Sequence, residues 1–248
     1  MAQQTDSTAT AALPESGRRR ASGGRHESGG RGADGGRGAG WASARRWAAL
    51  LALLVGLFLV DELPPYLRFD PAKARINLDP QVPWHYPVLV AHIAFGSIAL
   101  VTVVLQLWPG LRRTRPRVHR LSGRLYVYAG ALPCAVTALV VMPLMPEWRG
   151  DIGIALQALL WIATTVTGTV AARRHRWAEH RRWMLRSFAL AVGVLWGRAM
   201  VDVMVHTGAP VPLDYLFEVA RWLGWMVNLV LVQLWLDRKP RRRLPVSA

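Results

Sequence analysis

The chain reads as an all-α integral membrane bundle of about six transmembrane helices, with both termini cytoplasmic. Three observations predict this: 52% of its 248 residues are hydrophobic, they fall into six blocks, and the basic residues alternate between the intervening loops. Five of the blocks approach the roughly 20 residues that a helix needs to cross the hydrocarbon core. A backbone surrounded by lipid must satisfy its own hydrogen bonds, and runs this long and continuous do so as helices rather than strands. The net charge of +16 would point to nucleic acid in a soluble chain. Here it is assigned to topology, and no nucleic-acid partner is expected.

Residues 1–44 are dominated by Gly, Arg, Ser and Ala, including Gly23-Gly24-Arg25 and Gly35-Gly36-Arg37. Such a segment buries too little apolar area to offset its ordering entropy, which predicts a disordered tail. An RNA-binding arm is the alternative; a solvated tail that reinforces topology is the simpler reading. The transmembrane domain then spans residues 45–236. Its first block, 47–60, follows Arg45 and Arg46 and is short enough to resemble a signal-peptide core. No small-x-small cleavage site follows; the chain continues Asp61-Glu62-Leu63-Pro64-Pro65, which suits the outer end of a retained helix.

The remaining blocks occupy residues 87–108, 125–144, 152–172, 187–205 and 216–236. Pro133 and Pro143 predict bends in the third. Gln106, Gln157 and the run Thr164, Thr165, Thr167 and Thr169 read as helix-to-helix hydrogen bonding. Residues 237–248 form a short basic tail.

Basic residues in short loops are retained on the cytoplasmic side. The N-terminal stretch through Arg46, the second-to-third loop, the fourth-to-fifth loop and the C-terminal tail carry eight, six, six and five Lys or Arg residues. The loops between them hold only Arg68, Lys73 and Arg75 in one case and Arg149 in another. Trp84 and Trp148 fit an outer interfacial belt, and Trp47, Trp108, Trp183 and Trp235 an inner one. The expected location is the cell membrane, with anionic lipid attracted to the basic inner surface.

Cys134, the single cysteine, lies within a block, which excludes an intrachain disulfide, a thiolate cluster and a haem-attachment motif. No phosphate-binding glycine loop, nucleophile elbow or His-Glu-x-x-His helix is present. Two constellations remain. The arginine-rich stretches 112–124 and 173–186 each place a histidine, His119 or His180, where an apolar segment resumes. If the two hairpins are parallel repeats, these imidazoles stand level and can face each other. That arrangement suits the axial ligands of one b-type haem, with Arg120, Arg124 and Arg181 available for its propionates. A zinc ion would need His175 or Glu179 as well. The alternative is that both rings hydrogen-bond at headgroup level while the arginines snorkel.

The second constellation lies toward the outer face. Arg198, Asp202 and His206 follow at four-residue steps and share one helix face. Glu218 and Arg221 sit near the start of the last block, and His92 lies about one to two turns below the outer surface, at about 5.4 Å per turn. Charged groups at this depth turn toward partners or a wet cavity. They make either a proton path or small-ligand site, or an internal ion pair of Arg198 with Asp202.

His92, Gly96 and Gln106, then His119-Arg120-x-x-Gly123-Arg124-x-Tyr126, Trp161, His180-Arg181-x-Trp183-Met184-x-Arg186 and Arg198 together resemble the bacterial membrane proteins called domain of unknown function 2306, over about residues 87–205. The resemblance implies a multi-pass topology and no established activity. A weaker similarity is to transmembrane b-type cytochromes with two haems in a four-helix core. It implies a haem between His119 and His180, and a second needing a histidine on residues 152–172, where there is none. Three expectations follow: a redox protein with one haem near the inner face, a transporter or proton-coupled carrier using the outer cluster, or a scaffold without ligand.

Overall fold

The computed structural model describes residues 32–144, 151–208 and 212–238. Eight helices follow in order: α1 Gly32–Glu62, α2 His85–Leu107, α3 Leu111–Thr114, α4 Pro116–Leu125, α5 Leu132–Val141, α6 Asp151–Arg173, α7 Trp177–Thr207 and α8 Leu213–Asp237. A π-helical stretch, Tyr126–Ala131, joins α4 to α5. No strand occurs among the described residues. Six segments are long and apolar enough to cross a membrane: Ala42–Glu62, His85–Leu107, Pro116–Leu144, Asp151–Arg173, Trp177–Met204 and Tyr215–Asp237. They match the six apolar blocks in order. Residues 1–31 of the glycine-rich tail, the Trp148 and Arg149 loop, and most of the basic C-terminal tail lie outside the described residues.

The helices outrun the apolar blocks at their arginine-bearing ends. Pro116, at the first turn of α4, is pre-set for a helix and has no N–H to orphan, so the helix starts there rather than at residue 125. The resulting first turns expose Arg117 and Arg120 together with Val118 and Leu121, and bury Ser122. Between α6 and α7 the turn is closed by Arg176 N–H to Ala171 O at 2.9 Å and His175 N–H to Ala172 O at 3.0 Å, with His175 left-handed at φ 56°. This is the Schellman arrangement, with a histidine where glycine is usual.

Pro133 disturbs its helix as expected, but by widening rather than a simple bend. Lacking an N–H, it cannot satisfy the Ala129 carbonyl, and the turns before it relax into the π stretch. Gly130 lies in that stretch, and a Cβ there would stand 2.9 Å from Ala99 Cα, so the widened segment presses directly on α2.

The closest helix contact joins α7 to α8. A Cβ on Gly224 would meet the Gly193 carbonyl oxygen at 2.5 Å, and one on Gly193 would meet Trp225 Cα at 2.8 Å. With little hydrophobic drive between helices in lipid, such backbone approach through small residues supplies the packing. Helix α1 uses one stripe: Ala48 and Val55 are buried and Leu51 packs on the central core, while Leu53, Leu54 and Leu57 are exposed. Glu62 ends the same stripe.

At the centre, Tyr126, Thr165 and Ser187 are fully buried. Trp161 Nε1–H donates to Tyr126 Oη at 2.9 Å, Tyr126 Oη and Ser187 Oγ are 2.5 Å apart, and Ser187 Oγ and Thr165 Oγ1 are 2.7 Å apart. The expected helix-to-helix bonds are made by Gln106, whose Nε2 donates to His119 O and Ser122 Oγ, by Gln157, whose Nε2 donates to Leu190 O, and by Thr165, whereas Thr164, Thr167 and Thr169 bond only carbonyls of their own helix.

Candidate functional site

Arg198, Asp202 and His206 share a face of α7, as their spacing predicts. Arg198 Nε lies 3.2 Å from Asp202 Oδ1, so the expected internal ion pair is present. It also lies 2.9 Å from Glu62 Oε1 of α1, a partner that four-residue spacing cannot reveal. Both contacts are ion pairs rather than aligned hydrogen bonds. His206 is exposed and its Nδ1 donates to the Asp202 carbonyl at 2.7 Å, which keeps the ring on its own helix.

A second pair ties the loop after α1 to that helix. Arg75 Nη1 sits 2.8 Å from Asp61 Oδ2 and 3.5 Å from Glu62 Oε1, and its Nη2 donates to Asp61 O at 2.7 Å. The bonded Asp61 carboxylate holds the Arg75 guanidinium above its ordinary pKa. A third pair, Arg221 with Asp151 at 3.7 Å, joins α8 to the start of α6.

Below these pairs lies a cavity of about 450 Å³. Glu62, His92, Gln157, Trp161, Arg198 and Trp225 line it, among a larger number of aliphatic side chains. His92 and Arg198, predicted to belong together, therefore meet in one space, whereas Asp202 and His206 are not among its walls. His92 Nδ1 is 3.0 Å from Cys134 O. A carbonyl oxygen only accepts, so Nδ1 carries the proton and Nε2 is left as an acceptor.

Glu218, expected in the same polar cluster, instead accepts from Trp222 Nε1 at 2.9 Å.

Trp225 adds a group that the sequence did not single out. Its side chain is 5% exposed, it lines the cavity, and its Nε1–H has no acceptor. A buried donor left unsatisfied costs about 1–3 kcal/mol, which makes it an exception needing a cause. Nothing marks residue 225 among 12 tryptophans in the sequence. Glu62 carried a faint signal, as an acid closing an apolar run beside two prolines.

At the opposite end, His119 and His180 each lie in the first turns of a helix running away from the arginine loops. His180 Nδ1 donates to Gly168 O at 2.8 Å, while His119 Nδ1 is buried without a partner. Arg120, Arg124 and Arg181 are exposed, and Arg181 stacks over Trp235 with 5.9 Å to its ring centre. His175 is the left-handed turn residue, its ring edge-on to Trp177 at 5.6 Å. Among the described residues no three His, Cys, Asp or Glu side chains converge as metal ligands, so the additional zinc partners are not assembled.

Six apolar spans among the described residues, several of them lining one partly polar cavity, define a multi-pass helical membrane protein. More specifically, the chain belongs to the family described as Predicted membrane protein (DUF2306), which matches residues 89–236. That region extends through α8, beyond the residue 205 at which the sequence resemblance ended, and leaves out α1 and the loop that carries Arg75. No curated protein and no solved structure matches the chain.

Proposed function

We propose that this protein is a carrier of the cell membrane that takes a small ligand into the cavity at the Arg198 end, with its arginine loops in the cytoplasm. The observation that carries this reading is the convergence of His92, Glu62 and Arg198 on one space of about 450 Å³. That volume is within the roughly 300–1,000 Å³ usual for small-molecule sites. The Glu62–Arg198 pair closes the space from the α1 side, so loading requires the pair to separate and unloading requires it to re-form. Glu62 and His92 are the titratable groups available to couple that step to a proton.

The test needs no knowledge of the ligand. In a Cys134→Ala background, single cysteines replace the cavity residues Ser97 and Gln157, and a charged, impermeant thiol reagent is applied from either face of sealed vesicles. A carrier alternates its access, so labelling is expected from both faces. Labelling from one face only, or from neither, overturns carriage.

One observation favours a second reading. His119 Nδ1, buried without a partner in the first turns of α4 as His180 lies in the first turns of α7, supports a single b-type haem between them near the arginine loops. Protein purified after haem-replete expression would then show a Soret band that shifts on reduction, and loses it in His180→Ala. A colourless preparation overturns it.

A further inference from the structure

We infer that the ligand of this cavity is an organic carboxylate with an apolar body, and that its head takes the position now held by the Glu62 carboxylate between Arg75 and Arg198; the inference rests on the reading of this cavity as the carrier's ligand site.

Two guanidiniums converge on one oxygen. Arg198 Nε lies 2.9 Å and Arg75 Nη1 3.5 Å from Glu62 Oε1, and both arginines line the cavity. Each has a second carboxylate partner off the cavity walls: Asp202 at 3.2 Å for Arg198 and Asp61 at 2.8 Å for Arg75. Neither guanidinium therefore depends on Glu62 alone for a counter-charge. Arg75 is further anchored by its backbone N–H, which donates to Tyr66 Oη at 3.2 Å. Glu62 thus marks a carboxylate position already built, served by guanidinium donors from two separate segments. Exchanging one carboxylate for another leaves the charge between the arginines unchanged. An uncharged or cationic head placed there would leave both guanidiniums facing a poorly hydrated space without that partner. Glu62 is the last residue of the α1 span, next to the exposed Asp61, which gives its displaced side chain a way toward the interface.

The charge around the cavity points the same way. Among the described residues, Glu62 is the single acid on walls that carry three arginines, Arg75, Arg198 and Arg221. A second pocket is lined by Arg68, Lys73 and Arg75, with Asp61 as its one acid among the described residues. Arg75 is common to both pockets, so a basic vestibule adjoins the cavity and concentrates anions beside it. Much of the remaining cavity lining is aliphatic, including Leu89, Ile93, Leu100 and Leu190, which suits a hydrocarbon body better than a small hydrated acid.

The probe is dodecanoate carrying a diazirine near the end of its chain, which loses nitrogen on irradiation and inserts into adjacent C–H bonds. The full chain in phosphatidylcholine nanodiscs, free of anionic lipid, is irradiated with it, and adducts are located by peptide mass spectrometry. Saturable adducts are expected on cavity residues of α2, α5 and α7. Excess dodecanoate should abolish them, while dodecanol and dodecyltrimethylammonium should not. Glu62→Gln removes the competing carboxylate and should half-saturate at about tenfold lower probe concentration. Arg75→Gln should need at least about tenfold more, the effect of one charge-assisted hydrogen bond. The opposite signs separate a ligand site from a purely structural cluster, whose disruption would weaken labelling in both variants. If Arg75→Gln does not fold, Glu62→Gln and the acid-against-alcohol comparison in the native chain decide.

Equal protection by dodecanol, no protection by dodecanoate, or weaker labelling of Glu62→Gln overturns the carboxylate assignment and leaves the carrier standing. Adducts confined to lipid-facing residues such as Val230 and Leu231, with cysteines at positions 97 and 157 still labelled from both faces, do the same. Adducts confined there with those cysteines unreactive from both faces remove both. Saturable, acid-protected cavity adducts with the cysteines labelled from one face only remove carriage and support the carboxylate site.

Discussion

Glu62 and Arg198 meet at 2.9 Å across the boundary between α1, which lies outside the family-matched region, and α7, which lies inside it. The pair closes the end of a stripe that runs through Ala48, Leu51 and Val55, so α1 is fixed to the bundle by apolar contact along its length and by charge at its tip. Arg198 is at the same time paired with Asp202 on its own helix.

Glu62→Gln is therefore expected to destabilise the protein in detergent by about 1–3 kcal/mol, because one carboxylate partner of a partly buried guanidinium is lost while the charge remains. Replacing both partners, in Glu62→Leu with Arg198→Leu, should cost less than the sum of the two single changes. Thermal unfolding of the four proteins measures this; strict additivity would show that the pair has no coupling of its own.

The seam between α7 and α8 makes a second prediction. Gly224→Ala forces a Cβ to within 2.5 Å of the Gly193 carbonyl and should cost about 1–3 kcal/mol by overpacking backbone that has no room to move. Gly56→Ala, which meets nothing within 4 Å on α1, should be neutral or stabilise by up to about 1 kcal/mol. Similar losses for both variants would contradict the packing.

A third prediction concerns the buried hydroxyl cluster. Tyr126→Phe removes the acceptor of Trp161 Nε1–H and the partner of Ser187, and should cost about 1–3 kcal/mol. Tyr128→Phe, which loses only an exposed contact from Arg173, should stay within about 0.5 kcal/mol. Denaturant titration of the two variants side by side separates a structural hydroxyl from a superficial one.

Much of this was legible in the sequence because the physics involved is local. Apolar run length sets the six spans, and four-residue spacing puts Arg198, Asp202 and His206 on one face. Thr164, Thr167 and Thr169 satisfy themselves on carbonyls one turn back in their own helix. What was not legible depends on which helices become neighbours. Glu62 meets Arg198 only because the end of α1 reaches α7. His206 shares the face of Arg198 as its spacing predicts, but bonds to its own helix and is not among the cavity walls. The π stretch before Pro133 was read only as a bend, since a missing N–H predicts disruption but not its form.

Cys134, the single native cysteine, lines the cavity and is buried, so its reaction with a small charged methanethiosulfonate reports whether the space opens. The rate is measured in vesicles for the native chain and for Glu62→Gln. If the cavity is the working site and the Glu62–Arg198 pair is its closure, Cys134 reacts slowly in the native chain and at least several-fold faster once the pair is broken. Equal rates in the two proteins, with α1 still packed on the bundle, would contradict it.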